Sequence, residues 1–317
     1  MTIRPESSSR GDGIDRRGFL ECMAWAGTGL LWTIKGGLPE SRVFGQQTSG
    51  AATNAFSLVQ ISDSHIGFSK APNQDVVGTL QQAVAKINAL PQAPAFILHT
   101  GDLTHLAKPE EFDTVAEILK GAKAQLFCVP GEHDFDADDN KLYLERYGRG
   151  TVGTGWYSFD YAGVHFVGLV NVANSKSGSM AGLGQLGDEQ LQWLTKDLAG
   201  VSDSRPVAVF AHVPLWTVYE KWGWGTLDAE RALALLKRFG SVTILNGHIH
   251  QIMQKVEGRV VFHTARSTAF PQSEPGHGTP GPMRDLPAGQ LRGALGVTTV
   301  GYVENAGSLA LADPTLE

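Results

Sequence analysis

The chain has 317 residues, enough for one large domain or two small ones. Hydrophobic residues make up 42% and charged residues 18%, so a packed globular core is within reach. The net charge is −6 and no basic run follows residue 20, which argues against a surface for a nucleic-acid polymer.

Residues 1–45 read as an export signal rather than as fold. Asp15-Arg16-Arg17-Gly18-Phe19-Leu20 resembles a twin-arginine motif, and a weakly apolar stretch rich in Ala and Gly follows from Met23 to Ile34. That stretch is too short and too broken to act as a permanent membrane anchor. Twin-arginine signals are addresses read by a receptor. The resemblance implies the twin-arginine export machinery as a partner and a periplasmic or secreted protein. Removal of the segment is expected between about residues 43 and 50, leaving a single domain over 51–317. Cys128 would then be the one remaining thiol, with no internal disulfide possible; in its apolar run it reads as a small buried hydrophobe.

In the remaining chain, residues 56–61 alternate as a strand and run directly into Asp63-Ser64-His65. Val76, Val77, Leu80, Val84 and Ile87 have helical spacing over 74–90, stopped by Pro91 and Pro94. A buried strand over 95–99 ends in Thr100-Gly101-Asp102, and Pro109 opens a second helix. Strand 125–129 ends in Pro130-Gly131-Glu132-His133-Asp134. Strands 156–160 and 164–170 flank a turn at Ala162-Gly163; a Gly- and Ser-rich loop over 174–187 and a helix over 188–199 follow. Strand 206–211 delivers His212, a helix covers 227–239, and strand 242–246 delivers Gly247-His248-Ile249-His250. A hairpin is expected at 252–263 with its turn at Glu257-Gly258, and two more strands near 297–303 and 307–312. Alternating strands and helices predict α/β layers with the helices outside. The motifs Asp63-Ser64-His65, Gly101-Asp102, Gly131-Glu132-His133-Asp134, His212 and Gly247-His248-Ile249-His250 each follow the end of a strand, the edge where open α/β sheets place their sites.

The ordered set D-x-H, G-D, G-E-H-D, lone H and G-H-x-H resembles the calcineurin-like metallophosphoesterases over about residues 56–270. Thr100-Gly101-Asp102-Leu103-Thr104 looks closest to the cyclic-nucleotide phosphodiesterase branch. The resemblance implies a four-layer α/β/β/α sandwich of two mixed sheets flanked by helices. It also implies two metal ions. Asp63, His65 and His250 hold one together with Asp102; Glu132, His212 and His248 hold the other, again with Asp102. A bridging hydroxide would attack phosphorus. His133 would protonate the leaving group or bind a phosphate oxygen, and Asp134 would orient the His133 ring. Imidazole and carboxylate donors suit Mn, Fe or Zn. The expected activity is hydrolysis of small phosphorylated substrates, with phosphodiesters favoured. The alternatives are a phosphomonoesterase, a nucleotide pyrophosphatase, or a metal-binding scaffold with impaired catalysis.

One position departs from the family pattern: Glu132 stands where the family has Asn. With Glu ligating, three carboxylates face two divalent cations and a hydroxide, for about zero formal charge instead of +1. Such a centre should attract a dianionic monoester less than a monoanionic diester, and should hold its metals more tightly or favour Fe³⁺. Among the other histidines, His99, His165 and His263 lie in apolar runs and read as packed, whereas His105 is close enough in sequence to Asp102 to reach the site. Two segments are candidates for choosing a substrate. One is Leu215–Gly225 with Trp216, Trp222 and Trp224; the other is the Gly- and Pro-rich stretch 271–293 with His277, Arg284 and Arg292.

Overall fold

A computed structural model describes residues 29–35, 38–44, 55–135, 140–172, 183–304 and 309–317. The chain divides into two units, Met1–Thr53 and Asn54–Glu317. In the first, β1 (Gly29–Lys35) pairs antiparallel with β2 (Leu38–Phe44), Gly29 opposite Phe44 and Lys35 opposite Leu38. This pairing falls within the segment read as an export signal. Arg16 and Arg17 lie outside the described residues.

The second unit begins with β3 (Ala55–Ile61), α1 (Val76–Asn88), β4 (Phe96–His99), α2 (Pro109–Lys120) and β5 (Gln125–Cys128). It continues through α3 (Lys141–Tyr147), β6 (Tyr157–Tyr161), β7 (Val164–Gly168), α4 (Asp188–Ala199), β8 (Val207–Phe210) and α5 (Ala229–Leu236). It closes with β9 (Val242–Asn246), β10 (Gln254–Glu257), β11 (Val260–Thr264), α6 (Leu291–Ala294), β12 (Thr298–Val303) and β13 (Ala310–Ala312). One sheet has the order β13-β12-β3-β4-β5 and the other β10-β11-β9-β8-β7-β6. Both are mixed: β3, β4 and β5 run parallel beside antiparallel β12, and the parallel run β7-β8-β9-β11 is flanked by antiparallel β6 and β10.

Strand alternation sets the layers. Leu58 points between the sheets, with Phe96, Leu98, Phe166, Phe210 and Leu245, while its neighbour Val59 points to the helices. On that outer face Leu80, Val84 and Ile87 of α1 and Phe112 and Val115 of α2 pack with Ile61 and Ile97. On the other sheet Ala208 and Phe210 face inward, and Val207 and Val209 face outward against Leu191 and Leu194 of α4 and Leu233 and Leu236 of α5. The result is helix, sheet, sheet, helix.

Local chemistry fixes the ends of the helices. Asp75 caps α1, its Oδ1 accepting from the Gly78 amide at 2.8 Å. Pro109 occupies the first turn of α2, where no amide donor is needed. Helix α5 is shorter than the 227–239 expected. The Asp228 carboxylate is engaged by the amides of Leu186 and Gly187, so the helix begins at Ala229. Helix α3 is absent from the sequence reading because two turns are too short to establish a period. No helix among the described residues is long and apolar enough to cross a membrane.

Candidate metal centre

The loops that leave β3, β4, β5, β8 and β9 converge on one point. Asp63, His65, Asp102, Glu132, His212, His248 and His250 are all buried there. Asp63, His65 and His250 offer ligand atoms within 4.8 Å of one another, and so do Glu132, His212 and His248. Between these triads lies Asp102, whose Oδ2 is 3.4 Å from His65 Nε2 and 3.4 Å from His212 Nε2. It is the one carboxylate that faces both groups at that range. His250 Nε2 stands 3.1 Å from Asp63 Oδ1, and His248 Nδ1 stands 3.0 Å from Glu132 Oε1.

The backbone is bent to make this possible. Asp63, His65, Asp102, His248 and His250 all have positive φ, between 41° and 70°. L-residues other than Asn and Gly pay for that region, and such strain collects at functional sites. Two glycines allow the close approach. A Cβ on Gly101, where φ is +96°, would lie 2.5 Å from His212 Nδ1 and 2.8 Å from the Gly131 amide nitrogen. A Cβ on Gly131 would overlap Asp102 Oδ1.

A polar network locks the loops across the two sheets. Gln60 Nε2 donates to Thr100 Oγ1 and to the Asn246 carbonyl, both at 3.0 Å. Asn246 Nδ2 donates to the carbonyls of Ala211 and Val213. His212 Nδ1 is 2.7 Å from the Thr100 carbonyl and His250 Nδ1 is 2.6 Å from the Phe270 carbonyl. Each Nδ1 must therefore carry its proton, which leaves the Nε2 lone pair aimed into the centre.

Three polar atoms of the centre lack a protein hydrogen-bond partner among the described residues. His212 Nε2, His248 Nε2 and Glu132 Oε2 are buried without a hydrogen bond. His212 Nε2 and Glu132 Oε2 approach to 2.9 Å, but not in hydrogen-bonding alignment. Buried polar atoms are almost always satisfied, so unpartnered imidazole and carboxylate atoms within a cluster of ligand-spaced donors fit a bound cation. Electrostatics agree. Burial opposes the charge on His212, yet Asp102 and Glu132 raise its pKa well above the ordinary imidazole range. Burial opposes ionisation of Glu132, yet His248 and His212 hold it well below the usual carboxylate range. Asp63, likewise buried, is held at about 2 by His250 and His212. The centre demands positive charge, and the donors present fit two cations.

Two of the residues expected at the site have other contacts than foreseen. The Asp134 carboxylate accepts from the amides of Gly131, Leu103 and Thr104 and from the Thr104 hydroxyl. It ties the Asp102 loop to the Glu132 loop. The His133 ring is oriented instead by a backbone carbonyl, with Nδ1 2.7 Å from His105 O. Burial and the nearby Asp102 raise the Asp134 pKa to about 7, against the pull of those amides. His105 stacks on His133, with centroids 4.9 Å apart and planes at 13°, so it does reach the site. His99, His165 and His263 are hydrogen-bonded to Ser64, to Asp160 and Asp197, and to Asp313 respectively.

The centre opens into a cleft of about 440 Å³ whose walls include Phe68, Lys70, Trp222, Trp224, Phe270 and Arg284. Trp216 is not among them: it packs edge-on against Phe262 in the outer core. Phe270 carried no signal in the sequence, and Gln272 was covered only as part of the stretch 271–293. Phe270 stacks on His65 at 4.8 Å, and Gln272 donates to the His248 carbonyl at 2.8 Å. Glu111 was also missed; buried, it accepts from the amides of His105 and Leu106 and supports the loop after Asp102.

A double sheet that gathers imidazoles and carboxylates at one edge defines a metallohydrolase. The chain belongs to the calcineurin-like phosphoesterase family, whose model matches residues 56–252. It is 26% identical over 224 residues to a probable glycerophosphodiester phosphodiesterase of Arcobacter nitrofigilis, covering 66% of this chain and 77% of that protein. It is 25% identical over 221 residues to a 3',5'-cyclic-nucleotide phosphodiesterase of Nostoc sp., covering 68% and 79%. Among solved structures, a dimetal phosphatase from Danio rerio superposes with a TM-score of 0.58 at 16% identity, over 81% of this chain and 98% of that one. The protein is thus a metal-dependent hydrolase of phosphate esters with phosphodiesterase relatives.

Proposed function

We propose that the chain prefers phosphodiesters and cleaves them at a centre held by Asp63, His65, His250, Asp102, Glu132, His212 and His248. The observation that carries the preference is Glu132, ionised, buried and 2.9–3.0 Å from two of the imidazoles. Two divalent cations would supply an acidified water as nucleophile and would neutralise the oxygens on phosphorus. Asp63, Asp102 and Glu132 offset three of the four positive charges such a pair brings. With the hydroxide counted, the formal charge is about zero instead of the +1 that Asn would leave, which disfavours a dianionic monoester more than a monoanionic diester. His133, its Nδ1 engaged by His105 O, keeps the other ring nitrogen for a phosphate oxygen or the leaving group. Donors of nitrogen and oxygen without thiolate suit Mn, Fe or Zn. The glycerophosphodiester and cyclic-nucleotide phosphodiesterase relatives support the diester.

The Arg16-Arg17 motif supports export by the twin-arginine pathway, which carries folded and hence metal-loaded proteins, to the periplasm or beyond. Replacing Arg16 and Arg17 by Lys should leave the protein in the cytoplasm on cell fractionation; unchanged export would refute that route.

The activity is tested with a chromogenic phosphodiester and the matching monoester, using protein that starts near Gln46, with Mn²⁺ and after chelation. Metal-dependent turnover with the diester preferred is expected. A monoester preference would leave a hydrolase but remove the role given to Glu132. No turnover of either with two metals bound per chain would indicate a scaffold that recognises phosphorylated ligands.

A further inference from the structure

The walls of the cleft carry charge that the metal centre does not use. Lys70 and Arg284 are exposed, both line the cleft, and neither forms an ion pair among the described residues. In a chain of net charge −6, the cleft gathers two cations that form no ion pair with a described carboxylate.

Arg284 is not on a loose strand of chain. Gln272 Oε1 accepts from the Gly281 amide at 3.0 Å, and the Met283 amide donates to the Pro271 carbonyl at 3.0 Å. These bonds close the segment into a hairpin-like loop whose tip precedes Arg284. The same Gln272 donates to the His248 carbonyl, and Gln251 Nε2 donates to the carbonyls of Gln272 and Ser273. The loop that presents Arg284 is therefore bolted to the G-H-x-H motif. Lys70 comes from a separate loop, close after His65 and Phe68. Trp222 lines the cleft as well and stands edge-to-face with Trp224 at 5.0 Å.

We infer that Lys70 and Arg284 form a second anion subsite, and that the substrate is a phosphodiester carrying a further phosphate or carboxylate beyond the scissile group. The inference rests on the phosphodiesterase reading above. Its logic is a division of labour: Glu132 reduces the pull of the centre on anions, and Lys70 and Arg284 on the wall of the same cleft supply positive charge for a second anionic group. Arg offers a planar fork to phosphate or carboxylate, and Lys adds a mobile point charge. A diester with no second charge has nothing to place there.

The test uses two matched chromogenic diesters, thymidine 5'-(p-nitrophenyl phosphate) with and without a 3'-phosphate, on the Mn²⁺-loaded enzyme. The 3'-phosphate should lower KM by about tenfold, the scale expected of two solvent-exposed ion pairs. In the double variant K70A/R284A the ratio of the two KM values should fall to about one, and R284K alone should restore part of it. Equal KM values in the wild-type enzyme, or an undiminished ratio in the double variant, would overturn the subsite. Binding of thymidine 3',5'-bisphosphate and thymidine 5'-phosphate, followed by calorimetry, asks the same question without turnover. A preference for the bisphosphate that disappears in K70A/R284A supports the subsite even if no ester is cleaved, whereas equal affinities refute it. Failure to cleave either diester would count against the phosphodiesterase reading alone.

Discussion

Glu132→Asn isolates the charge argument. The substitution keeps an oxygen donor but removes one negative charge from a group that stands 2.9 Å from His212 Nε2 and 3.0 Å from His248 Nδ1. A phosphate held at the centre would lie about 5 Å from that carboxylate, where two unit charges interact by about 3 kcal/mol at an effective dielectric of 20 and about 1 kcal/mol at 60. A monoester dianion carries one more charge than a diester, so the ratio of monoester to diester kcat/KM should rise about five- to 150-fold. The assay compares the two chromogenic esters on Mn²⁺-loaded wild type and variant, with metal content measured on the same samples. A ratio that stays constant or falls while two metals remain bound would refute the reasoning. Loss of one metal would instead show that Glu132 holds it, and the comparison would then be repeated at saturating Mn²⁺.

Gly101→Ala should abolish metal binding and turnover while leaving the circular dichroism spectrum native, because its Cβ would lie 2.5 Å from His212 Nδ1 and force the ligand away; full metal content would contradict this. His165 is held between Asp160 at 2.7 Å and Asp197 at 3.0 Å. Burial opposes its charge, but the two carboxylates raise its pKa above 6.5. A raised folded-state pKa gives stability that is complete below the unfolded value and is lost as pH rises through the folded value. Denaturant midpoints should therefore fall as pH rises above about 6.5, by the equivalent of about 1 kcal/mol or less, since Asp160 is largely exposed and screened. His165→Gln should flatten that dependence, and an equal slope in the variant would assign it elsewhere. Leu98→Ala, at a fully buried position between the sheets, should cost about 2–5 kcal/mol in urea unfolding; a loss below 1 kcal/mol would show that the sheets do not pack as described.

Much of the fold was legible because its strands are short, buried and punctuated. Phe96–His99 and Val242–Asn246 are apolar runs that stop at Gly-containing motifs, and the structure ends each strand at that stop. The helix over Pro109–Lys120 was marked by its proline and by apolar spacing. Lys141–Tyr147 was not, because two turns give no period and every residue but Tyr143 is partly or fully exposed. At the site, the ligand types and their order could be read because metal chemistry restricts which side chains serve. Contacts made through backbone groups could not. Nothing in the sequence shows that His133 leans on the His105 carbonyl, or that Asp134 spends its oxygens on the amides of Leu103, Thr104 and Gly131. Gln272 was hidden for the same reason: its amide acts through the carbonyl of His248 and the amide of Gly281, which any sequence would supply. Trp216 shows the converse, an aromatic beside His212 in sequence that the fold uses for packing against Phe262.

The proposed chemistry depends on a pair of cations sharing Asp102. Anomalous diffraction from crystals soaked in Mn²⁺, recorded at the manganese edge, tests it most directly. Two peaks about 3.5–4 Å apart are expected, one against Asp63, His65 and His250 and the other against Glu132, His212 and His248, with Asp102 touching both. A single peak, or a second peak that leaves Glu132 and His212 unligated, would contradict it.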